Sequence, residues 1–262
     1  VVSEIAKNKT GKKKIVVASI LAALAMQSGM ITDVMAADPP SAKLADAALA
    51  VGTNGVAIGS SAKSQSNQSV AIGYFSNAQA PSASPENPAT AVGAGANANG
   101  AGTVALGLSA NATGANAIAL GGGSNGGTNK TEATGKYAAA IGFNAKASQE
   151  NAVALGPSAT AAALNSIALG KGASITAPTT GTTLGGQDSI AMGTGASAKQ
   201  HSSVSVGLGA SSDGVRSVAI GPKASATDED TIAIGTGGVG ADKNNQVYGA
   251  NGGGASTSVN GV

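Results

Sequence analysis

The chain has 262 residues, 40 of them glycine, with no cysteine, no tryptophan, three tyrosines and two phenylalanines. Large rings normally supply much of a core's buried area, so a thick-cored globule is excluded, and the missing cysteines exclude disulfides and thiolate metal sites. The net charge is +2, but Lys7, Lys9, Lys12, Lys13 and Lys14 lie in a segment with only two acids, so the rest sums to −1 and has no basic footprint for nucleic acid.

Residues 1–37 read as a leader. Lys12–Lys14 precede the apolar run "IVVASILAALAM" and then the small-residue site "VMAADPP", with cleavage expected after Ala36 or Ala37. The apolar run is shorter than the roughly 20 residues of a membrane-spanning helix. Residues 38–55 form a lead-in, 56–240 a repetitive region, and 241–262 a Gly-rich C-terminal segment that points toward a missing stalk and anchor.

The repetitive region returns one phrase twelve times, as in "SVAIG" (69–73), "TVALG" (103–107) and "SIALG" (166–170). Its glycines are Gly59, Gly73, Gly93, Gly107, Gly121, Gly142, Gly156, Gly170, Gly193, Gly207, Gly221 and Gly235, and most successive ones are fourteen residues apart. A fixed short period signals a solenoid whose repeats bury apolar surface by stacking. Counting from the glycine, position −1 is always a large aliphatic and −3 is Val or Ile except at Thr90 and Ala139. Period-two alternation of β-branched residues predicts a strand, and recurrent glycine excludes helix. Positions +3 and +5 are small and +4 polar, which predicts a second strand with its polar side to water. Each unit is therefore one coil of two strands, stacked into two parallel sheets.

Position −2 is alanine in eleven copies and Ser205 in the twelfth. With −1 and −3 assigned to the core, this rank falls on the outward face. Its alanine stripe, including Ala71, Ala105, Ala119, Ala154, Ala168 and Ala219, is expected to be a subunit interface. The other reading is a surface on which alanine is merely tolerated.

Three spacings are longer. Taking Ser76–Ala78, Ser124–Gly126 and Ala173–Ile175 as completed second strands puts the surplus in "QAPSASPENPA", "GTNKTEATGKYA" and "TAPTTGTTLGGQDS". All three would then leave from one edge of the rod, making Lys130, Glu132 and Lys136 exposed candidates for ligand contact.

The phrases "NSIALG" (165–170), "QSVAIG" (68–73) and "DSIAMG" (188–193) resemble the head repeat of the trimeric autotransporter adhesins, the YadA-like head, and "VVSEIAK" is similar to the end of their extended signal region. The resemblance implies an all-β, left-handed parallel β-roll solenoid assembled as a homotrimer. It also implies export to the bacterial surface, and attachment to host cells or to an extracellular matrix protein such as collagen. No enzymatic activity, cofactor or nucleic-acid partner is implied, and the membrane would be reached only through a C-terminal anchor beyond this chain. The family's collagen-linked phrase is matched best by Asn165, Ser166, Ile167, Ala168, Leu169 and Gly170.

Two other classes of solenoid share parts of this pattern. A left-handed β-helix acyltransferase repeats hexapeptides in coils of eighteen and needs a histidine base, whereas His201 is the one histidine and reads as a solvated turn residue. An ice-binding solenoid needs ranks of threonine. "GGGSNG" (121–126) lacks the following helix that a phosphate loop requires. "DED" (228–230) reads as a solvated edge, with weak cation binding as the alternative.

Overall fold

Residues 42–44, 48–80, 88–123, 129–177, 185–236 and 239–240 are described in the computed structural model of the chain. The leader, its cleavage site, most of the Gly-rich C-terminal segment, and 81–87, 124–128 and 178–184 of the longer spacings lie outside the described residues.

The described chain winds into two parallel sheets of 13 strands each, with successive strands alternating between them. Pairing is in register with the phrase: Val56, Ala57 and Ile58 face Val70, Ala71 and Ile72, and these in turn face Thr90, Ala91 and Val92. Equivalent positions therefore stack into ranks running the length of the rod, about 58 Å at about 4.8 Å per strand. Ala42–Leu44 and Leu49–Ala50 add a coil before the first phrase, inside the expected lead-in.

Glycine is required at the turn after the first strand. Gly107 has φ +126, and a Cβ there would lie 2.3 Å from the carbonyl oxygen of Gly121, the same residue one coil on. Side chains rarely adopt that backbone, and the stacked coil leaves no room for one. The return turn uses a left-handed residue at position −5, among them Asn54, Gln68, Asn116, Asn151, Asn165, Asp188 and Arg216. Pro88, whose ring fixes φ negative, is the departure from this rule.

The first strand's faces are the reverse of the sequence expectation. Ala71, Ala105, Ala119, Ala154, Ala168 and Ala219 are fully buried inside their own chain, so they form no subunit interface. The large aliphatics at −1 and −3 point out: Leu106, Ile118, Leu155, Ile167, Met192 and Ile234 are each about two-fifths exposed. The reason is thickness. Two residues separate the glycine from the buried +3 position, so the sheets lie too close for large side chains to meet between them. Among the described residues Ile175 is the largest fully buried side chain, and it needs Gly186 beside it, where a Cβ would sit 2.4 Å from Ile175 Cγ2. Elsewhere the interior is methyls and hydroxyls. At −4, Thr103, Ser166 and Ser217 are buried and donate to the carbonyls of Gly100, Ala163 and Gly214. Ser203, Ser205 and Ser212 divide the alanine core into two clusters. The Ser205 and Ser212 hydroxyls cross the interior to the Ser197 and Val204 carbonyls.

The second strand follows expectation, with +4 outward and +3 and +5 buried, as in Ala110–Ala112. One coil departs. Its second strand is Glu132–Ala133, paired with Asn111–Ala112 and Lys146–Ala147, so Ser124–Gly126 is not that strand. The extra residues of this coil therefore enter at the glycine turn, after Ile118–Leu120. The other two lengths follow Asn77–Gln79 and Ser174–Ile175 and enter at the return turn, so the three do not share an edge.

Candidate functional site

A flattened roll of stacked ranks presents four surfaces, each built from one or two positions of the phrase. The first sheet's outward face is an array of Val, Ile, Leu and Met interrupted by Thr90 and Ala139, with Val104, Leu106, Ile118, Leu120, Leu155 and Ile220 among its more exposed members. Contiguous apolar area of this extent on a surface marks an interaction site.

The second sheet's outward face is polar and internally bonded. Asn77 Nδ2 donates to Asn97 Oδ1 at 2.9 Å, and Asn97 Nδ2 to Asn111 Oδ1 at 2.8 Å. The same rank continues into Glu132, whose carboxylate lies 3.6 Å from Lys146 Nζ and 3.0 Å from Lys130 Nζ. Beyond it stand Thr160, Ser174, Ser197, Ser211 and Ser225.

The glycine edge, at positions +1 and +2, carries Tyr74, Phe75, Leu108, Phe143 and Leu208, all exposed, together with Lys171 and Lys223 and no acid among the described residues. The Tyr74 and Phe75 rings meet edge-on, with centroids 4.5 Å apart. The opposite edge is polar. Asn151 Nδ2 donates to Asn165 Oδ1 and Asn165 Nδ2 to Asp188 Oδ1, both at 2.9 Å. His201 Nε2 lies 3.4 Å from Asp188 Oδ2, and Ser202 Oγ lies 2.8 Å from His201 Nδ1. Further along, Arg216 bonds Asp230 and Glu229. The bond from Arg216 holds the Asp230 carboxyl below its ordinary value, against the opposing effect of desolvation and with the help of the guanidinium charge. The same contacts, Asp230 first and Glu229 second, raise the guanidinium further.

The proposed ligand residues do not form one site. Of the phrase 165–170, Ser166 and Ala168 are buried, Ile167 and Leu169 belong to the aliphatic face, and Gly170 makes the turn; Asn165 alone reaches the polar edge. Lys130 and Glu132 belong to the polar face, while Lys136 sits on the polar edge with its Nζ 4.7 Å from the Tyr137 ring centre. Reading residue types along the chain missed the ladders, because they form between equivalent positions of successive coils.

Among the described residues no group of three or more His, Cys, Asp or Glu side chains is placed to share a metal ion. No described helix is long and apolar enough to cross a membrane. Successive coils of fourteen also differ from the eighteen-residue coil of a hexapeptide acyltransferase.

Comparison with known proteins agrees with the repeat. The YadA head domain repeat matches at residues 50–76, 88–110, 98–124, 133–159, 147–173, 185–210 and 212–237, together more than half of the chain. Among solved structures, the chain is similar to the collagen-binding domain of the Yersinia adhesin YadA, at 22% identity over 78% of this chain and 70% of that one, with a TM-score of 0.24. No curated protein sequence matches. With its phrase, its coil and its repeat model in agreement, the chain belongs to the YadA head-repeat family and is the head of a trimeric-autotransporter-type adhesin.

Proposed function

We propose that three copies of this chain, each wound as a left-handed roll, pack their first sheets around one axis and expose their second sheets to the host. The observation that carries this is the aliphatic face. A lone chain has an interior of alanine and serine and leaves its larger apolar side chains in water. Burying a Val, Leu or Ile contributes roughly 1.5–3 kcal/mol, so the principal core of the assembly forms between chains. Assembly thereby supplies stability that the thin single roll lacks.

With that face inside, ligand contact falls to the second sheet: the Asn77–Asn97–Asn111 ladder with Lys130, Glu132 and Lys146. Threefold repetition presents each surface three times, so weak individual contacts add through avidity. The setting is the outer surface of a bacterium, reached by export, and the activity is attachment rather than catalysis. Resemblance of the Asn165–Gly170 phrase makes collagen the first matrix protein to test.

The test immobilises collagen, fibronectin and laminin and measures binding of the full chain alongside its sedimentation. A sedimenting trimer that binds collagen supports the reading. A monomer removes the assembly, and a trimer silent toward all three proteins and toward whole host cells removes the ligand class.

A further inference from the structure

Two of the four described aromatic residues occupy one coil at opposite edges. Tyr137 stands at position −5 of the coil of Gly142, on the polar edge, and Phe143 stands at +1, on the glycine edge. Each is 49% exposed. Tyr137 is held at φ +58 in a rank whose neighbours above and below are Asn116 and Asn151. Asparagine tolerates the left-handed region by bonding locally, whereas a bulky ring there is strained. Inside its own chain the Tyr137 ring meets the Lys136 ammonium at 4.7 Å, and about half of the residue stays exposed.

Threefold closure supplies what is missing. A closed ring joins two different patches of one chain, repeated at every boundary. Sheets packing about 10 Å apart place each first sheet about 5 Å from the axis, inside a triangle with sides of about 17 Å. Three strand residues and a turn residue at either end span about 16 Å, so each roll fills its side. The glycine edge of one copy therefore meets the polar edge of the next. Rotation about an axis along the rod adds no axial shift, and residues of the same coil meet.

We propose that Phe143 of each copy packs on Tyr137 of the neighbouring copy, forming a ring of three aromatic clasps at one height of the trimer. This rests on the trimeric reading above and adds to it a device for register. The aliphatic ranks repeat every coil, so sliding one chain by about 4.8 Å would cost the shared core little. The clasp occurs in one coil. A slip of one step sets Phe143 against the rank positions of Asn116 or Asn151 and loses all three ring contacts.

The chain lacks cysteine, which makes the test clean. In the full chain carrying Tyr137→Cys and Phe143→Cys, the two thiols of one copy are about 16 Å apart, beyond the Cα separation of about 7 Å that a disulfide can bridge. Oxidation is expected to give covalent trimers on a denaturing gel. A control pairing Tyr137→Cys with Tyr74→Cys, which lies several coils away, is expected to give none. Substituting Tyr137→Asn or Phe143→Ala should each lower the trimer's melting temperature, with the double variant no lower than the worse single one. Sedimentation as a trimer without covalent trimers, or with additive melting losses, would overturn the clasp alone. A monomer would overturn the trimeric reading and the clasp with it.

Discussion

Facing outward, the first sheet shows Val, Ile, Leu and Met while the second shows Lys, Asn, Glu, Thr and Ser, yet both turn the same alanines and serines inward. Chemistry alone would have put the aliphatics inside. Size overrides it, because a short glycine turn brings the sheets too close for anything but a methyl or a hydroxyl. The comparison teaches that a solenoid can keep its smallest residues for its own interior and its largest for its partners.

The strongest test sets neighbouring residues against each other. Ala154→Asp places an uncompensated charge in the closed interior and should cost roughly 3–5 kcal/mol, unfolding the surrounding coils. Thermal melting followed by circular dichroism reads it, and a melting point equal to the parent's would show that the interior is misplaced. Leu155→Asp, one residue on, should remove about 1.5–3 kcal/mol of burial per copy and convert trimer to monomer in sedimentation. An intact trimer from Leu155→Asp would mean the aliphatic face is not the boundary between chains.

Smaller effects sharpen the second sheet. Asn97→Ala breaks both bonds of the Asn77–Asn97–Asn111 ladder and is expected to cost about 0.5–1.5 kcal/mol by denaturant titration, without changing assembly. The smallest effect belongs to Arg216. Because Asp230 is held below its ordinary value when folded, its pairing contributes above the unfolded carboxylate range and is lost as pH falls through the lowered value. Arg216→Ala should therefore lower the melting point slightly at pH 7, by an amount that shrinks as pH falls below the ordinary carboxylate range. A difference that grows on acidification would contradict the pairing.

Much of the roll was legible from the phrase, because a fourteen-residue period with alternating positions admits few folds. Which face of the first strand turns inward was not legible, since hydrophobicity and size give opposite answers for Ala154 and Leu155 and only the sheet separation decides. The displaced strand Glu132–Ala133 is legible in a different signal from the glycine count: Ala112-Thr113-Gly114 recurs as Ala133-Thr134-Gly135, which aligns the coil without counting from Gly121. The contact surfaces were the least readable part. Asn165, Asp188 and His201 are far apart in the chain, and only coil stacking brings their side chains into one line.

That stacking also decides how the rod answers force. Every strand runs across the rod and its ladder hydrogen bonds point along it, so tension between the two ends of a chain loads those bonds one coil after another. Fourteen residues released from a coil extend by about 48 Å, against about 5 Å occupied when stacked. A single roll stretched end to end would lengthen in steps of about 43 Å for each fourteen-residue coil and in larger steps at the three longer ones, absorbing a pull by unwinding in units instead of letting go at once.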